Sequence, residues 1–459
     1  MRFEGPADTL NKSCWPTVKL STLVTKIRSG ATPKGGAESY LDARAQYVLV
    51  RSQNVFDHRF DETGLANISN QQARDLAGAE LRSDDVLLNI TGDGVTFGRA
   101  CLVPKRVLPA CVNQHVMLIR TNHALCRPGY LAAWLALPST KAYIESFNAG
   151  GSRRAITKGH IESFEVPLPP TNIQRSIGEL ATKINDRIAL LDQTNTTLES
   201  IARALFKSWF IDFDPVRAKA EGREPEGMDA ATAALYPAEF EESELGVIPK
   251  GWHLATVGEI ASVIDCLHSK KPTLLPAGRP FLQLSNIRDD GLLDASALSF
   301  ISEDDYKKWT SRIEVREGDC VITNVGRVGA VAQVPTGMAA AMGRNMTAIR
   351  LRLEYPYPSF LIELLQSSLM RAEIERRTDV GTILDALNVR SIPLLRFTCP
   401  PTAILRAAEG MLRPLRASME LNLKRAGSLA LVRDTLLPRL ISGKLRLPEA
   451  QEQLEDALV

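Results

Sequence analysis

Apolar residues return at every seventh position along one stretch of the chain: Ile177, Ile184, Leu191, Leu198 and Leu205, with Ile173, Leu180, Ile188 and Ile201 widening the same stripe. A stripe of this period and length predicts an amphipathic helix with a coiled-coil seam. Pro169-Pro170, with Thr171 or Asn172 as the capping residue, sets its start. Leu415, Asn422, Leu429 and Leu436, flanked by Met411, Met419 and Val432, predict a second helix of the same kind after Pro400-Pro401-Thr402. Asn422 is polar on that seam, a device that fixes register at some cost in stability. Pro414 predicts a kink or a later helix start, because proline inside a helix costs about 3 kcal/mol. Each helix, at roughly 35 residues and 1.5 Å per residue, would be about 50 Å long. A small domain cannot cover such a stripe, so the two helices are expected to pair.

The rest of the pattern is different. Short β-like runs at 47–50 (YVLV), 85–90 (DVLLNI), 115–120 (HVMLIR), 280–284 (PFLQL) and 319–325 (DCVITNV) are separated by Gly, Pro, Asn and Asp. Helical stretches stand near 128–147 and 358–377. The pattern is also written twice. PPTNIQR at 169–175 returns as PPTAILR at 400–406, and with that offset Leu198, Leu205, Phe206 and Phe210 fall on Leu429, Leu436, Leu437 and Ile441. Further upstream, RSDDVLLNITG (82–92) lines up with REGDCVITNVG (316–326), so Asp85 meets Asp319 and Gly92 meets Gly326. The chain therefore reads as one unit of strand-rich domain plus long helix, duplicated. The fold class expected is α+β, with two similar mixed domains separated by an antiparallel coiled coil of two long helices and related by an internal pseudo-twofold repeat.

Length and composition narrow the class. At 459 residues the chain is too long for one ordinary core. It has no run of about 18 apolar residues that could span a bilayer, and its first residues, with Glu4 and Asp8, do not read as a secretory signal. The seven cysteines (14, 101, 111, 126, 266, 320, 399) contain no C-x-x-C pair, so neither a disulfide framework nor a tetrahedral zinc site is expected, and a cytoplasmic setting fits. Net charge is only +2, so position matters more than the total. Residues 1–170 hold 20 Lys+Arg against 15 Asp+Glu, whereas 250–401 hold 18 against 17; any anion-binding face of the second domain must be a local patch.

Several long phrases carry a resemblance. LFKSWFIDFDPVRAK (205–219), LGVIPKGW (245–252), the two Pro-Pro-Thr helix starts and LLPRLISGKLRLP (436–448) resemble the specificity subunit of type I restriction-modification enzymes, over nearly the full length. Two departures stand out: Leu405, where the family often has Gln, and Pro414. The resemblance implies an N-terminal DNA target-recognition domain (1–168), a central spacer and docking helix (169–211), a surface linker (212–248), a second target-recognition domain (249–399), a second helix (400–441) and a tail (442–459). It implies double-stranded DNA as partner, each domain reading half of a bipartite site, with two modification methyltransferase subunits docked and restriction or translocase subunits as further partners. No cofactor is expected in this chain; S-adenosylmethionine, ATP and magnesium would belong to the partner subunits. No membrane contact is expected.

Base-edge readout favours Arg for guanine and Asn or Gln for adenine, and phosphate contact favours Lys, Arg and hydroxyls. Loops of the first domain offer Arg51, Gln53, Asn54, Gln114, His115, Ser152, Arg153, Arg154 and Lys158. Those of the second offer Ser285, Asn286, Arg288, Asn324, Arg327, Arg344 and Asn345. The bland reading is that Asn and Ser after a strand form turns and that lone arginines are solvated. Phe206, Trp209 and Phe210 read as core, or as a docking surface for a partner subunit. Catalytic signals are poor, and no catalytic or metal-binding residue is assigned. GDGVTFG (92–98) reads as a hairpin turn because strand-like RACLVP follows it, and no phosphate-binding G-x-x-x-x-G-K-[ST] exists. The expected role is a non-catalytic recognition subunit of a methyltransferase and endonuclease complex. The competing readings are an enzyme with an unrecognised site and a free-standing DNA-binding coiled-coil protein without methyltransferase partners.

Overall fold

The computed structural model describes residues 13–43, 46–148, 153–244, 246–379, 381 and 385–458. Two compact units divide the chain: residues 1–190 with 425–459, and residues 191–424. Each therefore holds one strand-rich head, the N-terminal half of one long helix and the C-terminal half of the other.

The heads share a topology. In the first, an antiparallel sheet runs in the order Val24–Ser29, Val116–Thr121, Val86–Asn89, Ala100–Leu102; in the second the order is Ala261–Asp265, Met346–Leu351, Cys320–Thr323, Val331–Gln333. Val86–Asn89 and Cys320–Thr323 are buried along their whole length, as apolar runs without alternation predict. A second sheet in each head contains a parallel pair, Tyr47–Val50 with Ala110–Val112 and Arg279–Leu282 with Ala339–Met342. Thr17–Lys19 pairs with Glu165–Pro167, and His253–Thr256 with Arg396–Cys399, so the first strand of each head is tied to the strand that precedes its long helix.

Each sheet is pinned by the same buried ion pair. Asp85 accepts the backbone N–H of Arg82 at 2.8 Å and two guanidinium bonds from Arg120 at 2.8 and 2.7 Å. Asp319 accepts Arg316 N–H at 2.9 Å and Arg350 at 2.8 and 2.5 Å. Bidentate pairing of this kind is geometrically demanding, and its recurrence in both heads gives the repeat a chemical as well as a topological identity.

The long helices span Thr171–Phe210 and Thr402–Ile441. The second begins at Thr402, not after Pro414. Gly410, whose carbonyl the missing proline N–H would have bonded, is exposed together with Pro414, so water can satisfy that carbonyl. The helices are antiparallel: residue 195 meets 419 and 422, whereas Phe206 and Phe210 share an apolar niche with Ala408 and Leu412. Asn422 donates to Asn195 Oδ1 at 2.9 Å, and Asn195, itself buried, donates to the carbonyl of Met419 at 3.0 Å. The polar residue on the second seam thus has a partner on the first. Ile201, by contrast, is 43% exposed, because the buried face continues through Ala202, Phe206 and Trp209.

One expectation about segments is sharpened and another needs correction. The helical stretch near 128–147 is two helices, Pro128–Leu135 and Pro138–Glu145, and 358–377 is likewise Pro358–Gln366 and Ser368–Arg376. Leu137 and Ser367 take extended backbone between them. The 212–248 segment is not a bare surface linker. It forms helices Asp214–Ala220 and Ala230–Ala234 and a hairpin, Phe240–Ser243 with Gly246–Pro249, and it contributes Val216, Tyr236 and Ile248 to the core of the second unit.

Candidate nucleic-acid interface

Candidate side chains collect at the tip of one loop in each head, a loop that joins a strand of one sheet to a strand of the other. In the first, the tip between Ala110–Val112 and Val116–Thr121 presents Gln114 and His115. His115 Nδ1 lies 2.6 Å from Thr91 Oγ1, and Gln114 Oε1 accepts a hydrogen bond from the Thr32 hydroxyl. Arg154 pairs in a short ladder with Gly92, which brings the basic 153–158 segment beside Thr91. Burial, and then the charge of Arg153, holds His115 below its ordinary pKa. It therefore offers one donor and one acceptor at neutral pH, not a charge. Arg154 is held by Glu145 at 2.8 Å and Lys158 by Glu162 at 3.4 Å, whereas Arg153 is exposed and its charge acts on His115. Ser152 lies outside the described residues.

In the second head the equivalent tip, between Ala339–Met342 and Met346–Leu351, presents Arg344 and Asn345, both exposed. Asn345 is left-handed (φ 65°), a conformation asparagine tolerates better than most residues, and its carbonyl accepts the N–H of Asn324 at 2.8 Å. Arg344 and Asn345 line a cavity of about 300 Å³ with Ser285, Gln283, Lys271 and Trp309. Two cations, an amide pair, a hydroxyl and an aromatic around one concavity suit contact with bases and phosphates.

Other expected readers are engaged inside the fold. Asn54 and Asn286 are fully buried and serve as equivalent clamps. Each accepts a backbone N–H, from Arg51 at 3.0 Å and Gln283 at 2.8 Å, and each donates to two carbonyls of the loop that follows. Asn324 is buried between the Leu387 carbonyl and the Thr347 hydroxyl. These three hold loops and have no surface to offer DNA. Arg288 grips Asp290 with bonds of 3.0 and 2.8 Å, and Arg327 binds Asp289 and the Ile287 carbonyl, so both arginines are neutralised locally. Arg51 braces the Gly64 carbonyl at 2.5 Å, and Gln53 reaches the same carbonyl at 3.4 Å but is itself exposed. Phe206, Trp209 and Phe210 are 3, 4 and 5% exposed within the main core of the second unit, packed on Phe360, Tyr236 and Trp252. The docking expectation for these three is therefore withdrawn.

Sequence reasoning missed Thr32, Thr91, Lys271 and Trp309. Only Lys271 left a signal, in the basic SKKP run that follows a strand. Asp93 closes the GDGVTFG turn by accepting the N–H groups of Val95 and Thr96, and those bonds hold its carboxyl below the usual range.

Comparison with known proteins places this geometry. Residues 15–200 match the Type I restriction modification DNA specificity domain. The chain is 23% identical over 449 residues to the HindI type I restriction enzyme specificity subunit of Haemophilus influenzae, covering 88% of this chain and 95% of that one. It is 22% identical to the MjaIX specificity subunit of Methanocaldococcus jannaschii, covering 95% and 94%. Over nearly its whole length the chain is similar to type I restriction-modification specificity subunits. The fold agrees: the crystal structure of the S subunit from M. genitalium superposes with a TM-score of 0.58 at 15% identity, over 94% of this chain and 96% of that one. No helix among the described residues is long and apolar enough to cross a membrane.

Proposed function

We propose that this specificity subunit reads a bipartite DNA site, one half with each head, and presents it to modification methyltransferase subunits that carry the chemistry. One observation carries the reading: the heads share a scaffold and differ at the tip. The Asp85–Arg120 and Asp319–Arg350 pairs recur, whereas Gln114 and His115 stand where the second head has Arg344 and Asn345. Equal supports under unequal readers suit an asymmetric site. By side-chain chemistry Gln114 favours adenine, and Arg344 favours guanine or a phosphate.

On this reading the chain itself performs no bond making or breaking. S-adenosylmethionine would be bound by the methyltransferase subunits, and ATP and magnesium by restriction subunits where these are present. The long helices join the two heads and dock the partners. Methylome sequencing of cells with and without the gene tests the proposal. Loss of one interrupted, two-part methylated motif is the expected result; an unchanged methylome would leave a free-standing DNA-binding protein as the better reading.

A further inference from the structure

The second head contains a cluster that its counterpart lacks. The strand Ala261–Asp265 ends in Asp265, and Cys266 and His268 follow; one ligand atom from each of the three lies within 4.8 Å of the others. Strand registers place Ser29, Gly30 and Thr32 at the matching positions of the first head, since Asp265 pairs with Thr347 as Ser29 pairs with Met117. The shared scaffold therefore does not require these three side chains.

We propose that Asp265, Cys266 and His268 bind one divalent transition-metal ion of the zinc class, with water completing the shell. Sulfur, imidazole and carboxylate together are the donor set of such ions and a poor one for magnesium or calcium. Asp265 Oδ1 is buried and has no hydrogen-bond partner, while Oδ2 receives His268 Nε2 at 2.8 Å. The orphaned oxygen is the one an ion would satisfy. Arg312 is the competing cation. Its Nη1 is bonded to the Cys266 carbonyl at 2.8 Å and stands 3.5 Å from Asp265 Oδ2, so it can keep its main bond while Oδ1 turns to a metal. Tetrahedral ligands lie roughly 3.4–3.7 Å apart, and the contraction needed falls mainly on His268, whose side chain is 62% exposed and free to turn.

The consequence reaches the candidate interface. The backbone of Met346 and Asn345 lies beside the Cys266 thiol and acts on it, so an ion on this sulfur would sit next to the tip that presents Arg344 and Asn345. The first head braces its tip through Thr32 and Gln114 instead. The sequence hid the site because its ligands are consecutive and of three kinds, not paired cysteines or histidines.

Cobalt(II) added to the full-length chain tests the proposal without DNA or partners. The expected result is one equivalent bound, with sulfur-to-cobalt charge-transfer absorption that zinc displaces. Cys266→Ser abolishes the band, His268→Asn weakens binding by about tenfold or more, and Arg312→Gln tightens it by removing the rival cation. His268 is exposed, so its variant keeps the test valid if Cys266→Ser fails to fold. Absence of a sulfur band, or a band that survives both ligand variants, overturns the site. Neither result depends on whether the chain reads DNA.

Discussion

The two heads solve one local problem in two ways. A short helix in each begins at a proline, Pro128 or Pro358, and its first backbone N–H groups need acceptors. In the first head Gln174 supplies one: its Oε1 accepts the N–H of Arg127 at 2.9 Å, and its Nε2 donates to the carbonyls of Leu125 and Pro169 at 3.1 and 2.8 Å. The second head has Leu405 there, buried and apolar, and Glu409 one turn later takes over, accepting Ser359 N–H at 3.0 Å and Phe360 N–H at 3.1 Å. Gly178 stands where the second head has Glu409, and a Cβ on it would sit 3.0 Å from the Gly129 carbonyl carbon and the Tyr130 nitrogen. The need for an acceptor persists while the residue that meets it moves by a helical turn. A departure such as Leu405 is therefore a compensated exchange, invisible when positions are compared one at a time.

The second head also buries charge that the first avoids. Arg416 is 2% exposed, donates to the carbonyls of Asp290 and Gly291 at 3.2 and 2.7 Å, and stands 3.7 Å from Glu363, which is 3% exposed. The corresponding residues of the first head are Asn185 and Ala133. Arg416→Met should destabilise the second unit by about 3–5 kcal/mol, because it strands Glu363 and two carbonyls, and Arg416→Met with Glu363→Met should recover much of the loss. Amide exchange of the Cys320–Thr323 strand reads it. Burial holds the Glu363 carboxyl above the usual range, so the single variant should be least impaired at acid pH, where that carboxyl takes a proton. A loss confined to the first unit would break the comparison.

Acid should separate the units in the other direction. His58 in the first head, where the second has Asp290, is pushed down to about 4 by burial first and then by the charge of Arg433. Its folded-state value lies below the ordinary 6.5, so the stability it contributes is complete above about pH 6.5 and is lost as pH falls towards 4. The limit is about 3 kcal/mol, drawn from the first unit. Glu363 and Glu409, both raised by burial, act oppositely: what they contribute is present at low pH and lost as pH rises. Exchange measured from pH 7 to 4 should show the Val86–Asn89 strand losing protection before Cys320–Thr323, and His58→Asn should remove most of that difference.

The smallest effect expected is at the helix crossing. Gly178→Ala forces a methyl against the Gly129 and Tyr130 backbone and should cost about 1–3 kcal/mol in the first unit. Gly410→Ala, which meets open space, should be neutral or slightly stabilising through helix propensity. Urea midpoints of the two variants compare them directly.

Much of the architecture was legible because it is periodic. The seven-residue stripe and the doubled Asp85 and Asp319 phrases need no tertiary knowledge. The seam was less legible after residue 191, where Asn195 sits in a polar TNTT run and Ala202 adds little hydrophobic weight, so Ile201 drew the stripe to the wrong face. Reader residues were the least legible part. Asn54 and Asn345 look alike as letters after or between strands, yet one is buried as a loop clamp and the other stands on a tip. Only the fold decides between them. Trp309 and Lys271 reach the Arg344 cavity from distant segments, which no spacing rule foretells.

Head exchange with methylome readout tests the central claim most directly. Residues 15–168 are replaced by the equivalent segment of a type I specificity subunit similar to this chain, and the methylated motif is read from genomic DNA. One half of the motif should change while the other half and the spacer length stay. A change in both halves, or in neither, would contradict the modular reading.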